Sequence, residues 1–272
     1  VEEYDPAMNS WERKSDMLTA RIAFSTSMVD GKIYAVGGFG AGRLSTVEEY
    51  DPATDTWTTK ASMPTQRSDL STAAVNGRIY AIGGYNGNWL AIVEEYDPAM
   101  DTWTKKANMP TARAALAVAV ANGRIYAIGG GNDSGWLSIV EEYDPATNTW
   151  ASKASMPTAR WNFSASMIGG RIFAIGGLGG PIRSPQVFPI VEEYDPETDK
   201  WTERADMPTA RAYFSTSAVN GKIYAIGGAL NDNTSLPTVE EYDTGFAGES
   251  VESKGKLATT WGNIRRSNVG IW

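Results

Sequence analysis

The sequence predicts an all-β fold of repeated four-stranded antiparallel sheets. Three observations lead there: a repeat of 46 to 51 residues, strand-like patterning inside each period, and punctuation that no helix tolerates. The string VEEYD begins at Val1, Val47, Val93, Val140, Val191 and Val239, and the spacings are 46, 46, 47, 51 and 48. Periods of this size mark architectures in which each unit leaves apolar surface that only its neighbours can cover.

Each period reads as four strands in order. The first is rich in Ala, Ser and Thr, as in ALAVAVA from residue 115, and suits a place where converging sheets leave little room. A two-residue turn follows, Asn122-Gly123 in the third copy, which favours a tight hairpin. The second strand, RIYAI from Arg78, is β-branched and aromatic and runs into Gly83-Gly84. The third is VEEYD, closed by an Asp-Pro turn start such as Asp97-Pro98. The fourth opens on a tryptophan such as Trp103 and carries charges, Lys105 and Lys106 among them, that discourage pairing of an exposed edge. A helical reading fails, because every period holds a double glycine and two prolines. Small residues at one end and charged ones at the other fit four-stranded blades packed radially.

Composition narrows the function. The 272 residues are enough for a large core, and the net charge of −8 argues against a surface that neutralises phosphates, so nucleic acid is not an expected partner. The chain has neither cysteine nor histidine, which removes disulfides, thiolate chemistry and the commonest general base and metal ligand. No cofactor and no metal site are expected, and no apolar run is long enough to span a membrane. The Asn231-Asp232-Asn233 run lacks the ligand count that a calcium site needs. GGFGAG and GGYNG look like phosphate loops, but no helix follows them.

A double glycine ending a strand, then VEEYDP, a tryptophan seven residues after the tyrosine, then MPTAR, resembles the kelch repeat, a blade of a β-propeller. The likeness covers about residues 1 to 243 and recurs in phase at Gly37-Gly38, Gly83-Gly84, Gly129-Gly130, Gly176-Gly177 and Gly227-Gly228. It implies a propeller at 1–243 followed by a capping strand or tail at 244–272. Six blade positions with one incomplete are expected, since Val1 to about Leu18 forms half a blade; five-bladed closure is the other arrangement. The family implies a binding scaffold for another protein, with enzymes a minority.

The internal copies separate framework from working surface. From the valine of VEEYD to the first glycine of the pair the distance is always 36, whereas the loops between glycine pair and next valine hold 8, 8, 9, 13 and 10 residues. Strand parity puts those loops on one face with the residues that follow the repeated arginine: Ile22-Ala23, Ser68-Asp69, Ala114-Ala115, Trp161-Asn162 and Ala212-Tyr213. Specificity belongs on loops that a rigid frame presents. The glutamate pairs and the repeated tyrosines and tryptophans read as framework, and the regularity of Arg21, Arg67, Arg113, Arg160 and Arg211 suits an ion pair with a blade glutamate, the alternative being a clamp on an anionic ligand.

The candidate contact residues are therefore the non-recurring ones. They are the aromatics Phe39, Tyr85, Trp89, Trp136, Trp161 and Tyr213, with Arg43, Asn86, Asn132, Asp133, Asn162, Arg183, Asn231 and Asp232 as hydrogen-bonding neighbours. The expected function is a non-catalytic scaffold for a protein or peptide. The alternative is glycan binding or a sialic-acid-mutarotase-like sugar epimerase, which carboxylate and arginine could perform without histidine.

Overall fold

The computed structural model describes residues 1–5, 10–219, 221–231 and 234–246. The expected cap from 247 onward, and Asp232, lie outside the described residues. Every regular element among the described residues is a strand. The chain divides into two compact units, Val1–Glu3 with Arg13–Trp161, and Tyr4–Glu12 with the chain from Asn162 onward.

The first unit holds three four-stranded antiparallel blades, each with its strands in chain order. Blade one is Ser25–Val29, Lys32–Val36, Val47–Asp51 and Thr56–Lys60. Blade two is Ser71–Val75, Arg78–Ile82, Val93–Asp97 and Thr102–Lys105. Blade three is Ala117–Ala121, Arg124–Ile128, Val140–Asp144 and Thr149–Lys153. In the second unit blade four is Ser164–Ile168, Arg171–Ile175, Val191–Asp195 and Lys200–Glu203. Blade five has three described strands, Ser215–Val219, Lys222–Ile226 and Val239–Asp243. At the N-terminus Glu2–Asp5 pairs with Ser10–Arg13, the half-blade read from the sequence.

The first hairpins are two-residue turns with both residues left-handed, φ 50° and 72° at Asn76-Gly77 and 51° and 71° at Asn122-Gly123, the geometry Asn-Gly accepts. Val75 consequently pairs with Arg78, and Ser71 with Ile82. The second strand has neighbours on both faces. Ile79 and Ala81 pack with Val36, Val47 and Met63 of blade one, while Tyr80 and Ile82 pack with Met109, Ile125 and Tyr143 towards blade three. Alternation along a strand therefore buries every residue from Ile79 to Ile82. Each such large apolar side chain contributes about 1.5–3 kcal/mol.

The double glycine is fixed by close approach. Gly83 and Gly84 have φ of 63° and 103°, and a Cβ on them would stand 2.6 Å from the Arg113 carbonyl and 2.8 Å from the Ser68 carbonyl. No side chain fits where the neighbouring backbone crosses.

The repeated aromatics pack and also fasten. Tyr50–Trp57, Tyr96–Trp103 and Tyr143–Trp150 have ring centroids 5.0 Å apart. Asp101, left-handed in its turn, accepts the Tyr96 hydroxyl at 2.5 Å and the Ala61 amide at 2.8 Å, while Trp103 Nε1 donates to the Ala61 carbonyl at 2.9 Å. Asp55 and Trp57 treat Ser15 in the same way, and Asn148 and Trp150 treat Ala107. The third-to-fourth-strand turn of each of these blades thus grips both backbone groups of one residue just beyond the preceding fourth strand.

Candidate functional site

In blades one, two and five a buried arginine holds both ends of the variable loop. Arg67 is fully buried; its Nη1 donates to the carbonyls of Gly83 at 3.0 Å and Ile92 at 2.9 Å, and its Nη2 meets Glu94 at 2.7 Å. Those two carbonyls are the two ends of the loop between the second and third strands. Arg21 holds Gly37 and Thr46 and pairs with Glu48, and Arg211 holds Gly227 and Thr238 and pairs with Glu240. Burial pulls Arg67 down to about 10 against the attraction of Glu94, so it stays cationic at neutral pH. Glu48, Glu94, Glu141 and Glu240, each the first of its pair, meet these repeated arginines. The second faces surface cations, as Glu49 does with Lys32 at 2.9 Å and Lys60 at 3.3 Å.

Above the stems each loop is a small hairpin of its own. Tyr85 bridges to Trp89 and Phe39 to Arg43, and Gly131–Asn132 pairs with Gly135–Trp136. The first loop residue also pairs with the residue after the repeated arginine: Ile22 with Phe39, Ser68 with Tyr85, Ala114 with Gly131, and Ala212 with Ala229. The two segment types assigned to one face by strand parity are therefore hydrogen-bonded to each other.

The next residues, Ala23, Asp69, Ala115, Asn162 and Tyr213, all have left-handed φ between 49° and 55°. The Asp69 amide donates to the Ala23 carbonyl and the Ala115 amide to Asp69, both at 2.8 Å, and in the second unit Tyr213 donates to Asn162 at 3.1 Å. Sequence reasoning missed this ladder; Asn and Asp tolerate the conformation, but Ala and Tyr gave no sign of it.

In the first unit the loops of blades two and three enclose an open groove of about 450 Å³ lined by Tyr85, Gly87, Asn88, Trp89, Ala112, Asn132, Asp133 and Ser134. Four of these, Tyr85, Trp89, Asn132 and Asp133, are sequence candidates; Gly87, Asn88, Ala112 and Ser134 are additions. The Asn86-Gly87 dipeptide was a usable hairpin signal for this tip. Trp89 Nε1 donates to Asp133 Oδ1 at 2.8 Å and ties one loop tip to the next. Tyr85 and Trp89 stand 5.0 Å apart at 52°, and the Arg43 guanidinium lies 4.7 Å over Tyr85. Asn132 is held by a 3.0 Å bond from its Nδ2 to the Ala112 carbonyl. The line Arg43, Tyr85, Trp89, Asp133 thus joins loops from three successive blades.

The other candidates fall beside or apart from this groove. Trp136 and Trp161 pack on each other at 4.6 Å, and Trp161 is within 3.3 Å of where a Gly131 Cβ would stand. The Trp161 indole N–H is buried without a partner among the described residues. Phe39 is 41% exposed and Asn86 caps its own tip by accepting from the Asn88 amide. In the second unit Tyr213 is 55% exposed, Asn162 half-buried and Arg183 exposed, while Ala229–Asn231 forms the start of its loop hairpin.

Among family models, one described as the KLHDC2/KLHL20/DRC7 Kelch-repeats domain matches residues 2–177, and the Kelch motif matches 159–208 and 210–246. The chain belongs to the kelch-repeat family. Among curated relatives, this kelch-repeat chain is similar to human Kelch-like protein 33, 42% identical over 50 residues that are 18% of this chain and 9% of that one. It is also similar to the F-box/kelch-repeat protein At1g16250 of Arabidopsis thaliana, 36% identical over 64 residues, 23% and 17% of the two chains. The matched segments span less than a fifth of those relatives' length. A solved structure titled "Structure of YjhT" superposes with a TM-score of 0.77 at 18% identity, covering 85% of this chain and 84% of the other. The fold is a kelch-like β-propeller built of antiparallel blades. Kelch membership supports a binding scaffold in general terms. No helix among the described residues is long and apolar enough to cross a membrane.

Proposed function

We propose that this chain is a non-catalytic scaffold that engages a protein or peptide through its variable loops. The supporting observation is the groove beside Tyr85 and Trp89, walled by two aromatic rings and rimmed by Asn88, Asn132, Asp133 and Ser134, with the loop that carries both rings held at its two ends by buried Arg67. An aromatic anchor with polar neighbours on a fixed frame is what recurs at binding hot spots. Phe39, Arg43, Asn86, Trp136 and Trp161 extend the contact surface of the first unit, and Asn162, Arg183, Tyr213 and Asn231 supply that of the second. A displayed peptide library selected on the full chain tests this. Enriched peptides should lose binding to Trp89→Ala while the variant keeps a cooperative unfolding transition; absence of enrichment, or binding indifferent to Trp89→Ala, removes the reading.

The second reading is carbohydrate, favoured by the same two rings beside amide and carboxylate groups. A glycan array combined with an NMR anomerisation assay separates the cases. Binding on the array selects the glycan, and turnover selects a sugar epimerase.

A further inference from the structure

The groove has one charged lining residue, and its charge is negative. Asp133 is exposed, and its Oδ1 is held by the Trp89 indole N–H at 2.8 Å. That bond orients the carboxylate on the groove wall, and an exposed carboxylate with one donor on it keeps acceptor capacity for another. Beside it are the Trp89 and Tyr85 rings, 5.0 Å apart, and the exposed Asn88 and Ser134. A carboxylate next to aromatic rings is complementary to a cation on an apolar stem: the rings take the methylenes and the face of the charge, and the carboxylate takes the N–H donors. An acidic or purely apolar anchor would lower the hydration of Asp133 and return nothing to it.

We infer that the groove receives one lysine or arginine side chain of the partner, with its cationic head on Asp133 and its stem along Trp89. This rests on the loop-face peptide reading above and names the chemistry of its anchor. A single basic residue is selected over a polybasic run because the Arg43 guanidinium already lies 4.7 Å over Tyr85 and opposes a second cation at that end. The overall charge of −8 favours the approach of such a partner without choosing the site.

A positional-scanning peptide library on the full chain provides the test, with arginine, lysine, norleucine and glutamate compared at each position. At one position the basic residues should bind about tenfold better than norleucine, as a charge-assisted bond to a carboxylate gives. Asp133→Asn, which changes no buried group, should abolish that preference at unchanged melting temperature, and a second adjacent basic residue should bring no gain. A preference for norleucine or glutamate, or a basic preference that survives Asp133→Asn, overturns the inference. If peptides without a basic position are enriched and lost in Trp89→Ala, the loop-face reading stands and this one falls; if nothing is enriched, both fall.

Discussion

Arg67 and Glu94 meet at 2.7 Å with side-chain exposures of 0% and 4%, and the same guanidinium holds both ends of the loop that carries Tyr85 and Trp89. Removing one partner of a buried pair leaves an uncompensated charge, which costs about 3–5 kcal/mol. Glu94→Leu should therefore destabilise by that amount in urea titration. Arg67→Met/Glu94→Leu should cost less than the sum of the single changes, yet not return to wild type, because the Gly83 and Ile92 carbonyls lose their donor. Additive single costs would contradict the clamp.

Ala115 sits at φ 50° with its amide bonded to the Asp69 carbonyl. A left-handed L-residue costs about 1–2 kcal/mol, and glycine removes most of that while paying its own chain entropy. Ala115→Gly should leave stability equal or up to about 1 kcal/mol higher, whereas Ala115→Val should lower it clearly. Equilibrium denaturation of the two variants distinguishes this from an ordinary strand position, where the order would reverse.

Much of the frame was legible because the chain states it several times: five in-phase glycine pairs, the Asn-Gly hairpins and the constant 36-residue span gave strands, turns and the loop face. The arginine clamp was half legible. Its regular recurrence and the waiting glutamates pointed to an ion pair, but the second task, gripping both loop stems, depends on backbone carbonyls that leave no trace in side-chain pattern. The groove was less legible still. Trp89 was singled out as an anchor, but its bond to Asp133 joins residues 44 apart through the packing of two blades, and the burial of the Trp161 N–H is equally a matter of packing. Ala23 and Ala115 hide their left-handed backbone entirely.

The third strand of blade five repeats VEEYD at Val239–Asp243, yet no fourth strand pairs with it among the described residues, and it is only half-buried where Val191–Tyr194 is buried. The seventh residue after Tyr242 is Glu249, where the other blades have tryptophan. Amide exchange should therefore be faster along Val239–Asp243 than along Val191–Asp195, since a strand that is only half-buried gives up its hydrogen bonds more readily by local opening. Equal protection in a mass-spectrometric exchange series would contradict this.

The chain has no histidine or cysteine, so side-chain titration leaves stability flat across the middle of the pH scale. The alkaline limit belongs to the tyrosines. Burial first, then the bond to Asp55, pushes Tyr50 up to about 12, and burial raises Tyr143 to about 12 and Tyr34, Tyr80 and Tyr96 further. A folded value above the unfolded one near 10.0 means stability is complete below about 10 and is lost as pH climbs towards 12. Arg67, lowered to about 10, and Arg113 and Arg211, which burial also lowers, work in the opposite direction but are fewer than the five tyrosines. Absorbance near 295 nm should show the buried phenols ionising together with loss of the native fold, not before it.

The fastening by Asp55, Asp101 and Asn148 always points backwards, from a turn to the residue that ends the repeat before it. Each of these modules therefore brings this coupling to whatever precedes it, and for this contact the neighbour supplies only one backbone amide and carbonyl. A chain made this way can be lengthened or shortened by whole modules without rewriting the ones already present, which leaves the tips of the loops as the place where individual copies are free to diverge.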